Sequence, residues 1–224
     1  MKPMKTTLIA TVIATALLAG TPALAFASGA PASPQAADAA TAASPSKLVL
    51  ENSTRILTTL EARRDEFSAD REKLRKFIAS EFNQMFDRTY AGRLVLGRHG
   101  RGASDADVKL FADALAENLM QRYGSSLLDF NTELQVRMKS ETPLRGGSMV
   151  KVSSEFLRQG GEPIPVDYLM RKVGDEWKVF DVMVEGVSFV QTFRNQFDGP
   201  LSRKSIAQVA AELRAGKLQA GASQ

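Results

Sequence analysis

The chain has no cysteine, one histidine and one tryptophan among its 224 residues. Without cysteine there is no disulfide staple, so in an oxidising compartment stability has to come from an ordinary hydrophobic core. The same absence removes the thiol that a lipoprotein anchor would need. The lone histidine, His99, lies in the basic stretch Gly97-Arg98-His99-Gly100-Arg101-Gly102 and reads as a loop residue rather than a catalytic base. Gly-x-Ser-x-Gly, His-Glu-x-x-His and phosphate-loop patterns are all missing. An excess of one charge is missing too. Basic and acidic residues number 29 and 25, and the two lysines of the leader lower the formal net charge from +4 to +2. A pI near 9.4 invites nucleic acid as a partner, but so small an excess is a weak electrostatic footprint, and none is expected.

Long apolar runs occur only at the start. Lys2 and Lys5 precede Thr6 to Leu18, which carries no charge. That run falls short of the roughly twenty residues a spanning helix needs and has the length of a secretory signal. Ala23-Leu24-Ala25 and Ala25-Phe26-Ala27 offer cleavage after Ala25 or Ala27. Residues 1–25 are therefore expected as a signal peptide and the mature chain as soluble and unanchored. From Ser28 to Ser46 the sequence is Ala, Ser, Pro, Gly, Thr and Gln with Asp38 as its only charge, which predicts a flexible leader over 26–45. One domain is expected over 46–216 and a flexible tail over 217–224.

The first half of that domain has helical spacing. Leu74, Phe77, Ile78, Phe82, Met85 and Phe86 recur every three or four residues, as do Val108, Phe111, Leu115, Leu119, Tyr123, Leu127 and Phe130. Ser104 with Asp107 marks a helix start, Tyr90 to Leu96 a short helix ended by Gly97, and Lys47 to about Phe67 an earlier one. From Glu133 to Glu185 the period becomes two, punctuated by Gly146-Gly147, Gly160-Gly161 and Gly174-Asp175. Val150, Val152 and Phe156 share one face, as do Ile164, Val166, Tyr168 and Met170, which predicts an antiparallel meander with one covered face. Helical spacing returns at Phe189, Val190, Phe193 and Phe197, then at Ile206, Val209, Ala210 and Leu213. The fold class is α+β, with helices packed on a sheet.

Asp181, Glu185 and Arg194 are the one polar group with the composition of an acid–base site. A carboxylate in mid-strand has to be paired, and we read the three as a network tying the last strand to the following helix. A small acid–base enzyme on a conical α+β fold is the alternative they leave open.

Several strings then stand in a particular order: Phe86-Asp87, Ala91-Gly92-Arg93-Leu94-Val95-Leu96-Gly97, Ala103-Ser104, Trp177-Lys178-Val179-Phe180-Asp181-Val182, Glu185-Gly186-Val187-Ser188 and Thr192-Phe193-Arg194. In that order they resemble the MlaC family of periplasmic phospholipid-binding proteins, also grouped as toluene-tolerance proteins, which serve the system that maintains outer-membrane lipid asymmetry. The likeness runs from about Ser46 to Gly216. Where the family has an aromatic pair after the first glycine, this chain has His99-Gly100.

The resemblance implies a four-stranded antiparallel sheet, related to nuclear-transport-factor-like folds, whose covering helices enclose an apolar pocket for acyl chains. It implies a monomer in the periplasm without cofactor, metal or enzymatic activity. Its partners would be phospholipid as cargo, an outer-membrane lipoprotein–porin complex, and an inner-membrane ABC transporter with a lipid-binding ring. The expected pocket wall is Val150, Val152, Phe156, Ile164, Val166, Tyr168 and Met170 from strands, with Leu94, Leu96, Tyr123, Leu127 and Phe189 from helices. Arg93, Arg98 and Arg101 are candidates to attract a head group. Each buried methylene is worth about 0.8 kcal/mol. A two-chain lipid with roughly thirty of them would exceed the ceiling of about 18–21 kcal/mol on non-covalent affinity, so opening the pocket must absorb much of the gain. A hopanoid or an aromatic solute is the alternative cargo.

Overall fold

The Ser44 hydroxyl accepts the Lys47 amide at 3.3 Å, and Pro45 follows at the first helical position, where a missing N–H costs nothing. Helix α1 (Pro45–Ala62) starts there. The computed structural model describes residues 44–123, 134–158 and 161–221. The chain breaks step at Arg63, giving α2 (Arg64–Ala69) instead of one helix to Phe67, and the Asp70 carboxylate then caps α3 (Arg71–Met85). Asp87 caps α4 (Arg88–Leu96) by accepting from the Tyr90 amide. Ser104 caps α5 (Asp105–Tyr123) by accepting from the Asp107 amide at 3.1 Å, the start its sequence predicts.

The strands are β1 (Gln135–Leu144), β2 (Met149–Leu157), β3 (Ile164–Val173) and β4 (Glu176–Val184), paired antiparallel in chain order. The four expected strands gain a fifth, β5 (Val187–Ser188). Glu185 and Gly186 both adopt positive φ, 51° and 81°, a two-residue turn whose twist suits a hairpin. The new strand stops after two residues because Ser188 caps α6 (Phe189–Leu201) by accepting from the Gln191 amide. Ser205 and Gln208 form a reciprocal capping box for α7 (Ile206–Arg214).

The register aligns the covered face in rows across the strands. The first holds Pro143, Val150, Met170 and Val179; the second Glu141, Val152, Tyr168 and Val182. The third holds Met138, Ser154, Val166, Val184 and, through β5, Val187; the fourth Val136, Phe156 and Ile164. Helix α1 crosses the second row. Its Ser46 bonds Glu141 on β1, and its Ser53 bonds Tyr168 on β3. Seven helical residues span about 10 Å, the width of two strand spacings, so the helix lies across the strands. The other face carries charge: Arg137 and Lys139 hold Glu155 at 2.5 and 3.2 Å, and Lys151 faces Asp167 at 3.7 Å.

Helices α4 to α7 pack on one another beside β4, around Val95, Leu96, Phe111, Phe193, Phe197 and Leu213. Residues 217–221, expected within a flexible tail, are part of this packing. Ala220 is fully buried, its amide donating to Asn118 Oδ1 at 2.9 Å, and Asn118 Nδ2 donates to the Leu213 and Leu218 carbonyls.

Candidate functional site

Burial along the covered face is uneven. In the first two rows Val150, Met170, Val179, Val152 and Tyr168 are buried under α1 and the end of α3. In the third row Ser154 and Val166 are still buried while Met138 and Val184 to either side are half-buried, and in the fourth Val136, Phe156 and Ile164 are all half-buried. Beyond them Val187 is 54% exposed and Phe189 38%. The sheet thus carries a mainly apolar face, interrupted by Glu141 and Ser154, that is buried at one end and half-buried at the other.

The buried apolar residues also fall into three separate groups, where a domain of this size ordinarily has one contiguous core. One covers the sheet, one joins α4 to α7, and one joins Leu60, Phe67, Leu74 and Ile78 of α1 to α3. The sheet and the helical group meet along β4, where Tyr90 of α4 stands edge-on to Phe180 at 5.3 Å. Beyond the half-buried rows Phe189 stacks on Phe193 of the helical group at 6.0 Å.

The expected wall residues divide accordingly. Phe156 and Ile164 stand at the half-buried end, with Val166 at its border; Val150, Val152, Tyr168 and Met170 belong to the buried end. Leu96 is a correction. It is buried inside the helical group, because the α4 face bearing Val95 and Leu96 packs on α5 and α6 rather than on the sheet. Leu94 is half-buried, and its carbonyl accepts from Arg194 Nε at 2.8 Å. Tyr123 ends α5, and Leu127 lies outside the described residues. Met138, Val182, Val184 and Val187 also stand on this face beyond the expected set; period-two alternation along β1 and β4 is the signal for the first three.

The polar candidates have structural uses. Both Asp181 oxygens are occupied, one by the Ser188 hydroxyl at 2.5 Å and the other by the Val190 amide at 3.0 Å, so the carboxylate holds the start of α6. Arg194 ties α6 to α4, and Glu185 sits exposed in the turn before β5, so the three do not form the single network expected. His99 is not a free loop residue: its ring faces Asp198 at 3.0 Å, and Arg98 bonds the same carboxylate. Arg93 is engaged by Asp105 at 2.6 Å, and Arg101 is exposed. Burial pushes the Tyr168 hydroxyl above its ordinary pKa, partly opposed by its bond to Ser53. Among the described residues no cluster of acids and histidines could hold a metal, and no helix is long and apolar enough to cross a membrane.

Residues 50–215 match the family model described as MlaC protein. The toluene tolerance protein ttg2D of Pseudomonas putida is 24% identical over 72% of this chain and 75% of its own length. The intermembrane phospholipid transport system binding protein MlaC of Haemophilus influenzae is 24% identical over 81% of this chain and 83% of its own. Among solved structures, a phospholipid-binding protein from Ralstonia solanacearum, in complex with a phospholipid, superposes with a TM-score of 0.68 at 21% identity. That match covers 78% of this chain and 98% of the other. The superposition establishes the shared fold.

Proposed function

The chain belongs to the MlaC family, and on that footing we propose that it is a non-enzymatic periplasmic carrier of phospholipid. It holds acyl chains against the half-buried end of its sheet and exchanges lipid with an outer-membrane lipoprotein–porin complex and an inner-membrane ABC transporter bearing a lipid-binding ring, so maintaining outer-membrane asymmetry. It works as a monomer, because a single sheet and its helices supply the whole wall. The observation that carries this reading is the half-covered apolar end of the sheet, Met138, Phe156, Ile164 and Val184, opening to Val187 and Phe189. Such a surface costs about 25 cal/mol per Å² while it faces water. Acyl chains are a fitting cover, since they match it chemically and need no hydrogen bonds.

The test is solvent extraction and native mass spectrometry of the protein purified from its own envelope. Phospholipid should be released, and the stripped protein should take it up again from vesicles. Val184→Asp puts a carboxylate on the half-buried wall and should abolish uptake while the fold persists. A stripped protein that takes up a hopanoid or an aromatic solute, and no phospholipid, would replace the cargo named here.

A further inference from the structure

On the charged face, a recess of about 500 Å³ opens where the α3–α4 junction meets the β3–β4 hairpin, and Arg88, Arg93, Arg171 and Lys178 all line it. Arg171 and Lys178 are direct cross-strand partners, one position on from the buried pair Met170 and Val179, so they face away from the acyl-chain wall. Arg171 is held rigidly. Its Nε donates to Asp87 Oδ2 at 2.8 Å and its guanidinium lies over the Tyr90 ring at 4.3 Å. Both terminal nitrogens are left without a hydrogen-bond partner among the described residues, a donor pair with the geometry for an oxyanion.

Each cation has an acidic neighbour: Asp87, only 15% exposed, meets Arg171 at 2.8 Å. Lys178 and Arg93 also donate to the Gln84 and Gly100 carbonyls, which leaves the terminal nitrogens of Arg171 as the open donors. Arg88 meets Asp113 at 3.2 Å, but Asp113 is shared with Lys109 at 2.6 Å. Asp105 and Glu176, opposite Arg93 and Lys178, are 95% and 71% exposed and so strongly screened by water. A carboxylate would occupy one of these cations, whereas a tetrahedral phosphate has oxygens for several. The rim is apolar: Val173 lines the recess and is 40% exposed, and Phe82, 41% exposed, stacks on the lining ring of Phe86 at 4.3 Å.

We propose that this recess binds the phosphate of an amphiphilic phosphate ester, at a place separate from the acyl-chain wall and independent of the carrier reading. The ester has two sources, a phospholipid still in its bilayer or a free glycerophosphate-like ester, and the apolar rim favours the first. The experiment is flotation of the full mature chain with vesicles of phosphatidylethanolamine and phosphatidylglycerol, with glycerophosphate as competitor, alongside Trp177 fluorescence with glycerophosphate alone. Binding should weaken between about 0.05 and about 0.5 M salt and be displaced by glycerophosphate. It should fall about tenfold in Arg171→Gln and also in Val173→Glu, whose exposed position leaves the fold intact. Both variants should keep co-purified lipid, while Val184→Asp should lose lipid and still float. Saturable glycerophosphate binding without flotation would assign the site to the free ester. Neither flotation nor a fluorescence change would overturn the proposal, as would binding indifferent to both variants.

Discussion

A carboxylate as deeply placed as that of Asp181 needs donors on both oxygens, and here Ser188 and Val190 supply them. Asp181→Ala leaves the Val190 amide and the Ser188 hydroxyl without that acceptor and should cost about 1–3 kcal/mol in denaturant unfolding. Asp181→Asn keeps one acceptor and should cost less, and both variants should retain lipid; lost lipid with unchanged stability would show that this carboxylate serves the cargo. Tyr168 makes a prediction in pH. Its folded pKa is raised, chiefly by burial. The contribution of its neutral hydroxyl is therefore complete below the unfolded value of about 10 and is lost as pH rises from there toward the folded value. Unfolding midpoints should fall above pH 10 more steeply in the native chain than in Tyr168→Phe; equal slopes would mean the hydroxyl is not sealed in. Val152, fully buried under α1, separates folding from binding. Val152→Glu should unfold the chain rather than empty it, since nothing on that face can pair the charge.

Elements carry a different kind of information, because which neighbour an apolar stripe meets is not written in the stripe. Alternation along β2 and β3 correctly places Val150, Val152, Ile164, Val166, Tyr168 and Met170 on one face. It cannot say that α1 crosses the second row and leaves Phe156 and Ile164 half-buried, since Ser46–Glu141 and Ser53–Tyr168 are long-range pairs. Leu96 went to the wrong layer for the same reason: helical spacing gives its face, and only packing gives the partner. The packing of α4 on α5 leaves a specific mark at Gly92. A Cβ built there would stand 2.7 Å from Ala112 Cβ, which has no rotamer by which to withdraw. Gly92→Ala raises helix propensity by about 1 kcal/mol, yet the forced separation of the helices should outweigh it, for a net loss of about 1–2 kcal/mol in unfolding free energy. A gain in stability would show that the two helices separate freely.

At the scale of the whole molecule, the buried apolar side chains of sheet and helices form separate groups that meet along β4. Acyl chains held at the half-buried end of the sheet would bind the folded state and no unfolded one, so the loaded protein should be the more stable form. At free lipid of about 100 to 1,000 times the dissociation constant, this linkage amounts to about 3–4 kcal/mol. For a domain of this size that corresponds to a rise of about 10 °C in unfolding temperature. Solvent-stripped protein should therefore melt about 10 °C below protein carrying its native lipid, and should bind a hydrophobic dye that the loaded form excludes. Val184→Asp should melt at one temperature whether or not lipid is offered. If stripped and loaded protein melt together, the half-buried side chains from Met138 to Val184 are ordinary core. A fall on stripping that Val184→Asp abolishes would place the cargo against the half-buried end of the sheet, where its removal returns apolar surface to water.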